Sequence, residues 1–220
     1  MAKRTLRRDL HDKPFGTGWQ AGSMGGVGGA VVAVASAGAV AAVGAAVAGR
    51  LVAARALLVS AAGLGALAVG LLGVALWRVD TTLIEVATTT SRATAAPLRL
   101  AALWGGPAGS LLCFAALTAV VAAVGARRLR AFGLVAVAAP VAALLAVAAL
   151  ARPFRSATLA PLDGTGLVPV LRRTSMLVHP PVVYTGLALT LLVAAIGVVD
   201  LAGHADEAQR RLGRHTALVA

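Results

Sequence analysis

The chain has 220 residues, of which 59% are hydrophobic and only 13% are charged, and its mean hydropathy is +0.88. Soluble domains carry roughly 25% charged residues, so this composition excludes an ordinary soluble protein and indicates an integral membrane protein. The formal net charge of +12 would suggest nucleic-acid binding in a soluble chain. Here we interpret it as arginines that flank membrane helices, so that the expected contact is the lipid bilayer and not nucleic acid.

Cys113 is the only cysteine of the chain, so an intrachain disulfide is excluded. The sequence also has no CxxC and no CxxCH motif. A dithiol redox site and covalent c-type haem attachment to this chain are therefore excluded as well.

Long apolar runs follow a basic and polar N-terminal extension at residues 1–23. A run of about 20 apolar residues is long enough to cross a bilayer as a helix. The sequence therefore predicts an all-α integral membrane domain over residues 24–203, with about five transmembrane helices and two long external loops. The predicted spans are residues 24–49, 56–77, 108–125, 131–151 and 181–203.

The first long connection is the threonine-rich segment 78–107. Within it, residues 98–104 have an apolar face that predicts a short helix lying at the membrane surface. Trp104 ends this helix, and Trp is typical of membrane–water interfaces. Gly105 and Gly106, followed by proline, predict the end of the helix.

A compact basic turn, RRLR at residues 127–130, indicates the cytoplasmic side, because short loops rich in arginine stay inside. The 50–55 turn and the polar tail at 204–220 would then also be inside, and both long loops and the N-terminus outside. The basic N-terminal extension favours the opposite orientation, but long segments translocate largely regardless of charge. We interpret the last apolar residues of the tail as the start of a truncated sixth span.

The segment 161–186, PLDGTGLVPVLRRTSMLVHPPVVYTG, has the densest group of turn-forming and titratable residues. Asp163 and Gly164 predict a tight turn, because Gly reaches positive φ at little cost and Asp bonds its own backbone. Pro180 and Pro181 predict the start of the last span, since the N–H groups of a first helical turn are unpaired in any case. His179 would then lie at the membrane surface and face whatever docks there.

Parts of this segment resemble a known family. DGTGLVPVL and MLVHPPVVYTG are similar to DGxxLNPLLQ and MxIHPPLLYxGY of the CcmF-type proteins of cytochrome c maturation, which handle haem for attachment to apocytochrome c. LRLAALWGGPAGSLL at residues 98–112 resembles that family's YKLAAVWGGHEGSLLLW, at the matching distance and between the corresponding spans. The resemblance covers nearly the whole chain from the first span to the fifth.

The resemblance implies that His179 is an axial ligand of the iron of haem b, and neutral imidazole is a standard haem ligand. The enrichment of Trp at membrane surfaces favours an interface anchor for Trp104, and the alternative is an apolar surface for the porphyrin. Arg172 and Arg173 could pair with the haem propionates, because guanidinium binds carboxylates bidentately. Contacts with lipid headgroups are the alternative for these two arginines.

The implied partners are other membrane proteins of cytochrome c maturation, a haem chaperone and apocytochrome c, and the implied location is the inner (cytoplasmic) membrane. In that family a tryptophan-rich WGxWWxWD segment and a second external histidine come later in the chain than the HPP segment, and this sequence stops at Ala220 before either. We therefore expect an N-terminal portion of such a protein, a subunit encoded by a split gene, or a diverged relative. It would be a component of a haem lyase that is not active alone.

The sequence also departs from the family pattern. Pro107 and Ala108 replace the His-Glu of the WGG segment, and Val168 replaces the Asn that precedes proline. The alternative hypothesis is a multi-span transporter or scaffold subunit without a cofactor. Transport predicts ionisable residues inside the spans, and the predicted spans contain essentially none.

Overall fold

The computed structural model describes residues 21–205 and 207–220. Most of the predicted N-terminal extension therefore lies outside the described residues. The described ranges contain eight α-helices: α1 (Ala21–Val47), α2 (Leu51–Arg78), α3 (Ile84–Thr89), α4 (Ala96–Arg99), α5 (Pro107–Gly125), α6 (Ala131–Ala151), α7 (His179–Leu201) and α8 (Glu207–Ala217).

Short 3-10 helices occupy parts of the connections between these helices. They are Leu100–Trp104, Ala126–Arg128, Pro169–Arg172 and Thr174–Leu177. The described residues form no β-strand; their β-pairing is a single isolated antiparallel bridge between Leu83 and Ser156. The predicted all-α class is confirmed for this part of the chain.

Five stretches are long and apolar enough to cross a membrane, with mean hydropathies between 2.1 and 2.6. This agrees with the predicted number of spans and indicates a multi-pass membrane protein. The stretches are Met24–Val47, Leu51–Arg78, Pro107–Arg128, Ala131–Ala151 and Thr174–Leu201.

Four of the five long helices start before the predicted limits, which were residues 24, 56, 108 and 181; they begin at Ala21, Leu51, Pro107 and His179. The second long helix begins at Leu51 and not at residue 56, because the charge of Arg55 is accommodated within the helix by its bonds to the carbonyls of Ala126 and Leu129 in the α5–α6 turn. Long basic side chains near a helix terminus can bury their stem and keep the charge at the boundary. The last long helix begins at His179, ahead of the predicted residue 181.

Helix α5 lies at the centre of the bundle and packs against α2, α6 and α7. Of its most apolar window 61% is buried, compared with 28% for the first and last long helices. Helix α1 packs between α2 and α6 through a row of buried alanines, Ala35, Ala39, Ala42 and Ala46. Such small side chains let helices approach closely, which is the main source of packing energy between membrane helices.

Both long connections lie at the same end of the bundle and are bonded to each other. The backbone N–H of Ile84 donates to the carbonyl of Arg155 at 2.9 Å, and the N–H of Ala157 donates to the carbonyl of Thr82 at 2.7 Å. We call this the long-loop end. It is the end at which α2 and α6 finish and α5 and α7 begin.

The second long connection is also anchored to α1 through Phe154. This side chain is only 4% exposed, and it lies where a Cβ atom on Gly28 would overlap its ring. A glycine is therefore needed at this position of α1, because only a residue without a side chain leaves room for the phenyl group.

The opposite end, which we call the short-turn end, carries the α1–α2 turn, the α5–α6 turn and the start of α8. Arg55 joins two of these elements, because it donates to the carbonyls of Ala126 at 3.2 Å and Leu129 at 2.8 Å. Helix α8 then runs antiparallel to α7. A Cβ atom on Gly213 would lie 3.0 Å from the side chain of Ile196.

The tail predicted to be polar thus forms a helix that returns along α7. An ion pair of 2.7 Å between Arg210 and Asp200 fixes the start of this return. The five candidate spans of the described residues do not include the tail, so a sixth span that begins there stays a prediction.

Candidate functional site

The carboxylate of Asp163 organises the start of the DGTG segment at residues 163–166. Its Oδ1 accepts hydrogen bonds from the backbone N–H of Arg92 at 2.9 Å and of Gly164 at 2.8 Å. These two bonds to the charged form lower the pKa of Asp163 below its ordinary value. Asp163 therefore joins the second long connection to the first.

The rest of the DGTG segment closes the C-terminal end of α3. The N–H of Thr165 donates to the carbonyl of Ala87 at 2.9 Å, and the N–H of Gly166 donates to that of Thr90 at 3.2 Å. The last carbonyls of a helix have no partner within the helix, and here the loop supplies it. A Cβ atom on Gly164 would overlap the Thr90 carbonyl oxygen, so this contact requires glycine.

The predicted propionate partners lie directly after this segment and differ in their contacts. Arg172 donates from Nε to the carbonyl of Leu167 at 2.8 Å, so its guanidinium is partly used to fold its own loop. Arg173 is exposed between two 3-10 helices. Arg173 is therefore the better placed of the two to meet an external anion.

The indole of Trp104 joins the two long connections a second time. Its Nε1–H donates to the carbonyl of Met176 at 2.8 Å, and Met176 lies in the 3-10 helix directly before His179. The side chain of Trp104 is half-buried. The hydrogen bond fixes both the orientation of the indole and the approach of the chain to α7.

The first turns of α5 and α7 are fixed to each other by a further contact. The hydroxyls of Ser110 and Tyr184 share a hydrogen bond of 2.7 Å, and the Tyr184 ring lies 5.8 Å from that of Phe114. Ser110 also donates to the carbonyl of Trp104 at 3.4 Å. The start of α7 is therefore held from two directions.

His179 is the first residue of α7 and its side chain is exposed. Pro180 and Pro181 follow it in the first turn, where their missing N–H groups cost nothing. The other histidines of the described residues lie at or in α8: His204 stacks on Phe132 at 4.6 Å, and His215 is in the helix itself. In the described part of the chain no three His, Cys, Asp or Glu residues form a metal-binding group, so His179 offers a single imidazole.

Glu85 is a residue at this end to which the sequence analysis assigned no role. It is 9% exposed, and its Oε1 accepts a hydrogen bond of 2.9 Å from the N–H of Gly109 in the first turn of α5. A Cβ atom on Gly106 would overlap this carboxylate oxygen. Burial raises the pKa of Glu85 above its ordinary value, and the bond from Gly109 opposes that shift.

Gly105, Gly106 and Gly109 thus have a structural role for which the sequence gives only a weak signal. Gly106 and Gly109 leave space for a buried carboxylate, and Gly105 lies close to Ala102 and Leu171, where an added Cβ atom would be 3.3 Å from each. In the sequence, this role is indicated only by the spacing of the three glycines and by the acidic residue Glu85 upstream of them.

An apolar cavity of about 230 Å³ lies between α2, α5 and α7, below Trp104. Pro181 and Tyr184 of α7 line one wall, and Cys113 of α5 lines the floor. The start of α7 is therefore exposed at His179 and lines an apolar space two residues later.

No protein-family model, curated protein or solved structure matches this chain.

Proposed function

We propose that this chain is a haem-handling membrane protein of cytochrome c maturation, which presents haem at its outer face for covalent attachment to apocytochrome c. The observation that carries the proposal is the placement of His179. It is an exposed imidazole at the first residue of a long apolar helix, at the end of the bundle that holds both long loops.

The surroundings of His179 support this function because they hold it in a defined position. Trp104 bonds the carbonyl of Met176, three residues before the histidine. Tyr184 is bonded to Ser110 one turn after it. A ligand that is held from both sides loses less conformational freedom on binding than a loop residue would.

The residues present fit one side of a haem b. His179 would supply one axial nitrogen, the indole of Trp104 an apolar surface, and Arg173 a guanidinium for a propionate. When bound, the haem supplies an iron centre and the vinyl groups to which apocytochrome thiols are joined. This chain would hold and orient the group, and a partner membrane protein would supply a further ligand.

The distribution of arginines supports the proposed orientation in the inner membrane. Arg127, Arg128 and Arg130 lie in one short turn at the short-turn end. Short basic turns remain cytoplasmic, so the long-loop end faces outward. Apocytochrome c and a haem chaperone would reach His179 from that side.

The test is haem that co-purifies with the assembled maturation complex. We expect His179→Ala to abolish this haem while the amount of membrane-inserted protein stays unchanged. His204→Ala, which removes an exposed histidine at the other end, is the matched control and should retain the haem. Full haem occupancy in the His179→Ala complex would refute the assignment.

A further inference from the structure

A second cleft of about 470 Å³ lies at the short-turn end, between the last turns of α5, the middle of α7 and α8. Its walls are apolar and come from all three helices, with Val120 and Val124 of α5, Leu189 of α7 and Leu212 of α8. Arg127 and Arg128 line it where α5 ends.

The apolar wall is open to the surroundings of the bundle. Val120 is 40% exposed and Val124 is 67% exposed. A residue rise of 1.5 Å places Val120 about 10 Å along the helix from Arg127. The cleft therefore has a long apolar wall that ends at the guanidinium groups of Arg127 and Arg128.

The two arginines of the cleft are available for an external anion. Both side chains are exposed, and no ion pair with a carboxylate is formed by either in the described part of the chain. Three other arginines at this end are already engaged. Arg55 is bonded to backbone carbonyls, and Arg211 and Arg214 pair with Glu207 at 3.1 and 3.0 Å.

We propose that this cleft is a binding site for one anionic phospholipid. The phosphate lies between Arg127 and Arg128, and an acyl chain lies along Val120 and Val124. Basic pockets between membrane helices bind anionic headgroups in this way. A lipid bound here would contact α5, α7 and α8 together, so it would also hold the C-terminal helix against the bundle.

The choice of this ligand depends on both parts of the cleft, the apolar wall and the two arginines. A free phosphate ion would satisfy the guanidinium groups and leave the apolar wall uncovered. A zwitterionic lipid would cover the wall, but its own cation competes with the arginines for the phosphate. Only an anionic amphiphile matches the charge and the apolar surface together.

The experiment uses the full chain reconstituted in vesicles of equal parts phosphatidylglycerol and phosphatidylcholine. Retained lipid is measured by native mass spectrometry after extraction in mild detergent. We expect one phosphatidylglycerol per chain and little phosphatidylcholine, and we expect excess inorganic phosphate to leave the bound lipid in place. Equal retention of the two lipids, or displacement by inorganic phosphate, would overturn the proposal without the use of any variant.

Variants separate the two halves of the cleft. We expect Arg127→Gln/Arg128→Gln to weaken phosphatidylglycerol binding about thirtyfold, from the usual contribution of two arginines at a lipid surface. Arg50→Gln/Arg211→Gln removes the same charge from exposed arginines outside the cleft and should retain the lipid. Val124→Trp keeps both arginines and blocks the wall, so it should also lower retention. Equal retention in the two double variants would contradict the site.

Discussion

The two ends of the bundle differ in how their backbone is held. At the long-loop end, side chains bond backbone groups that lie far away in the sequence, as Asp163 does with Arg92 and Trp104 with Met176. At the short-turn end the chain reverses within a few residues, and Arg127 and Arg128 remain exposed. Irregular backbone needs individual partners for its polar groups. The short-turn end has less irregular backbone, and there Arg55 supplies the long-range bonds, to the carbonyls of Ala126 and Leu129.

Arg99 illustrates the first case most clearly. Its guanidinium donates to the carbonyls of Thr94 at 2.9 Å, Trp77 at 3.0 Å and Arg92 at 2.9 Å. One side chain thus joins the end of α2 to the loop that carries Glu85 and Trp104. The long-loop end is therefore built to hold positions, and this is the property that a ligand-presenting surface requires.

The largest expected effect concerns which end faces outward. In a Cys113→Ala background, cysteine at the exposed positions Thr88 and Ser175 should react with a membrane-impermeant thiol reagent in intact cells. Cysteine at the exposed Ala208 of α8 should react only after the membrane is permeabilised. The reverse labelling pattern would place the long loops inside and contradict the proposed orientation.

A second large effect should come from the docking of the DGTG segment. Gly164→Ala would force a Cβ atom onto the Thr90 carbonyl, and overpacking of this kind costs about 1–3 kcal/mol. We expect a lower melting temperature in detergent. Gly63→Ala is the matched control, because a Cβ atom there meets nothing within 4 Å, and it should leave stability unchanged or raise it. Similar melting temperatures for Gly164→Ala and the unaltered chain would rule out the close approach.

Two variants of the buried Glu85 separate the contribution of its hydrogen bond to stability from the contribution of its charge. Glu85→Ala leaves the N–H of Gly109 without its acceptor, which costs about 1–3 kcal/mol. Glu85→Gln keeps an acceptor oxygen and removes the buried charge, so its cost at neutral pH should be smaller. Thermal unfolding of both variants in detergent measures the difference, and equal losses of stability would show that the bond to Gly109 contributes little.

The same residue predicts a pH dependence whose sign is fixed. Because the pKa of Glu85 is higher in the folded chain than in the unfolded chain, the unfolded chain releases its proton first as the pH rises. Its contribution to stability is present below the unfolded pKa and is lost as the pH rises through the folded pKa. The free energy of unfolding of the unaltered chain should fall with rising pH across this range. The Glu85→Gln variant should not show this fall. An identical pH profile in the variant would assign the fall to another group.

A smaller effect, of opposite sign with pH, is expected at the exposed Asp163. Its pKa is lowered by backbone N–H donors from Arg92 and Gly164, so its contribution is present above the ordinary pKa of Asp and is lost as the pH falls through the folded value. Acid should therefore loosen the DGTG segment, measured as a lower protection of the Thr165 amide against hydrogen exchange relative to its intrinsic exchange rate at each pH. Asp163→Asn should remove this acid dependence, and its persistence would show that Asp163 is not the titrating group.

The sequence was sufficient for features that depend on composition and local pattern. Continuous apolar runs predicted the five long helices, and the HPP segment predicted a helix start beside His179. Each of these features is encoded within a few residues of the position concerned.

The contacts between the two long connections were not predictable in the same way. The bond of Glu85 joins residues 24 positions apart, and that of Asp163 joins residues 71 positions apart. Both use a side-chain oxygen to accept from backbone N–H groups, and every residue type except proline provides such a group. The donor residue therefore cannot be identified from the sequence. The packing of the bundle determines which N–H group meets each carboxylate.

The central claim is that the long-loop end holds haem iron through His179, and ligand replacement tests it most directly. We expect the complex containing His179→Gly to lose its haem, and added imidazole to restore part of the occupancy with a Soret maximum near that of the unaltered complex, because a free imidazole can fill the vacated position. Full occupancy and an unchanged Soret spectrum in the His179→Gly complex without imidazole would contradict the claim.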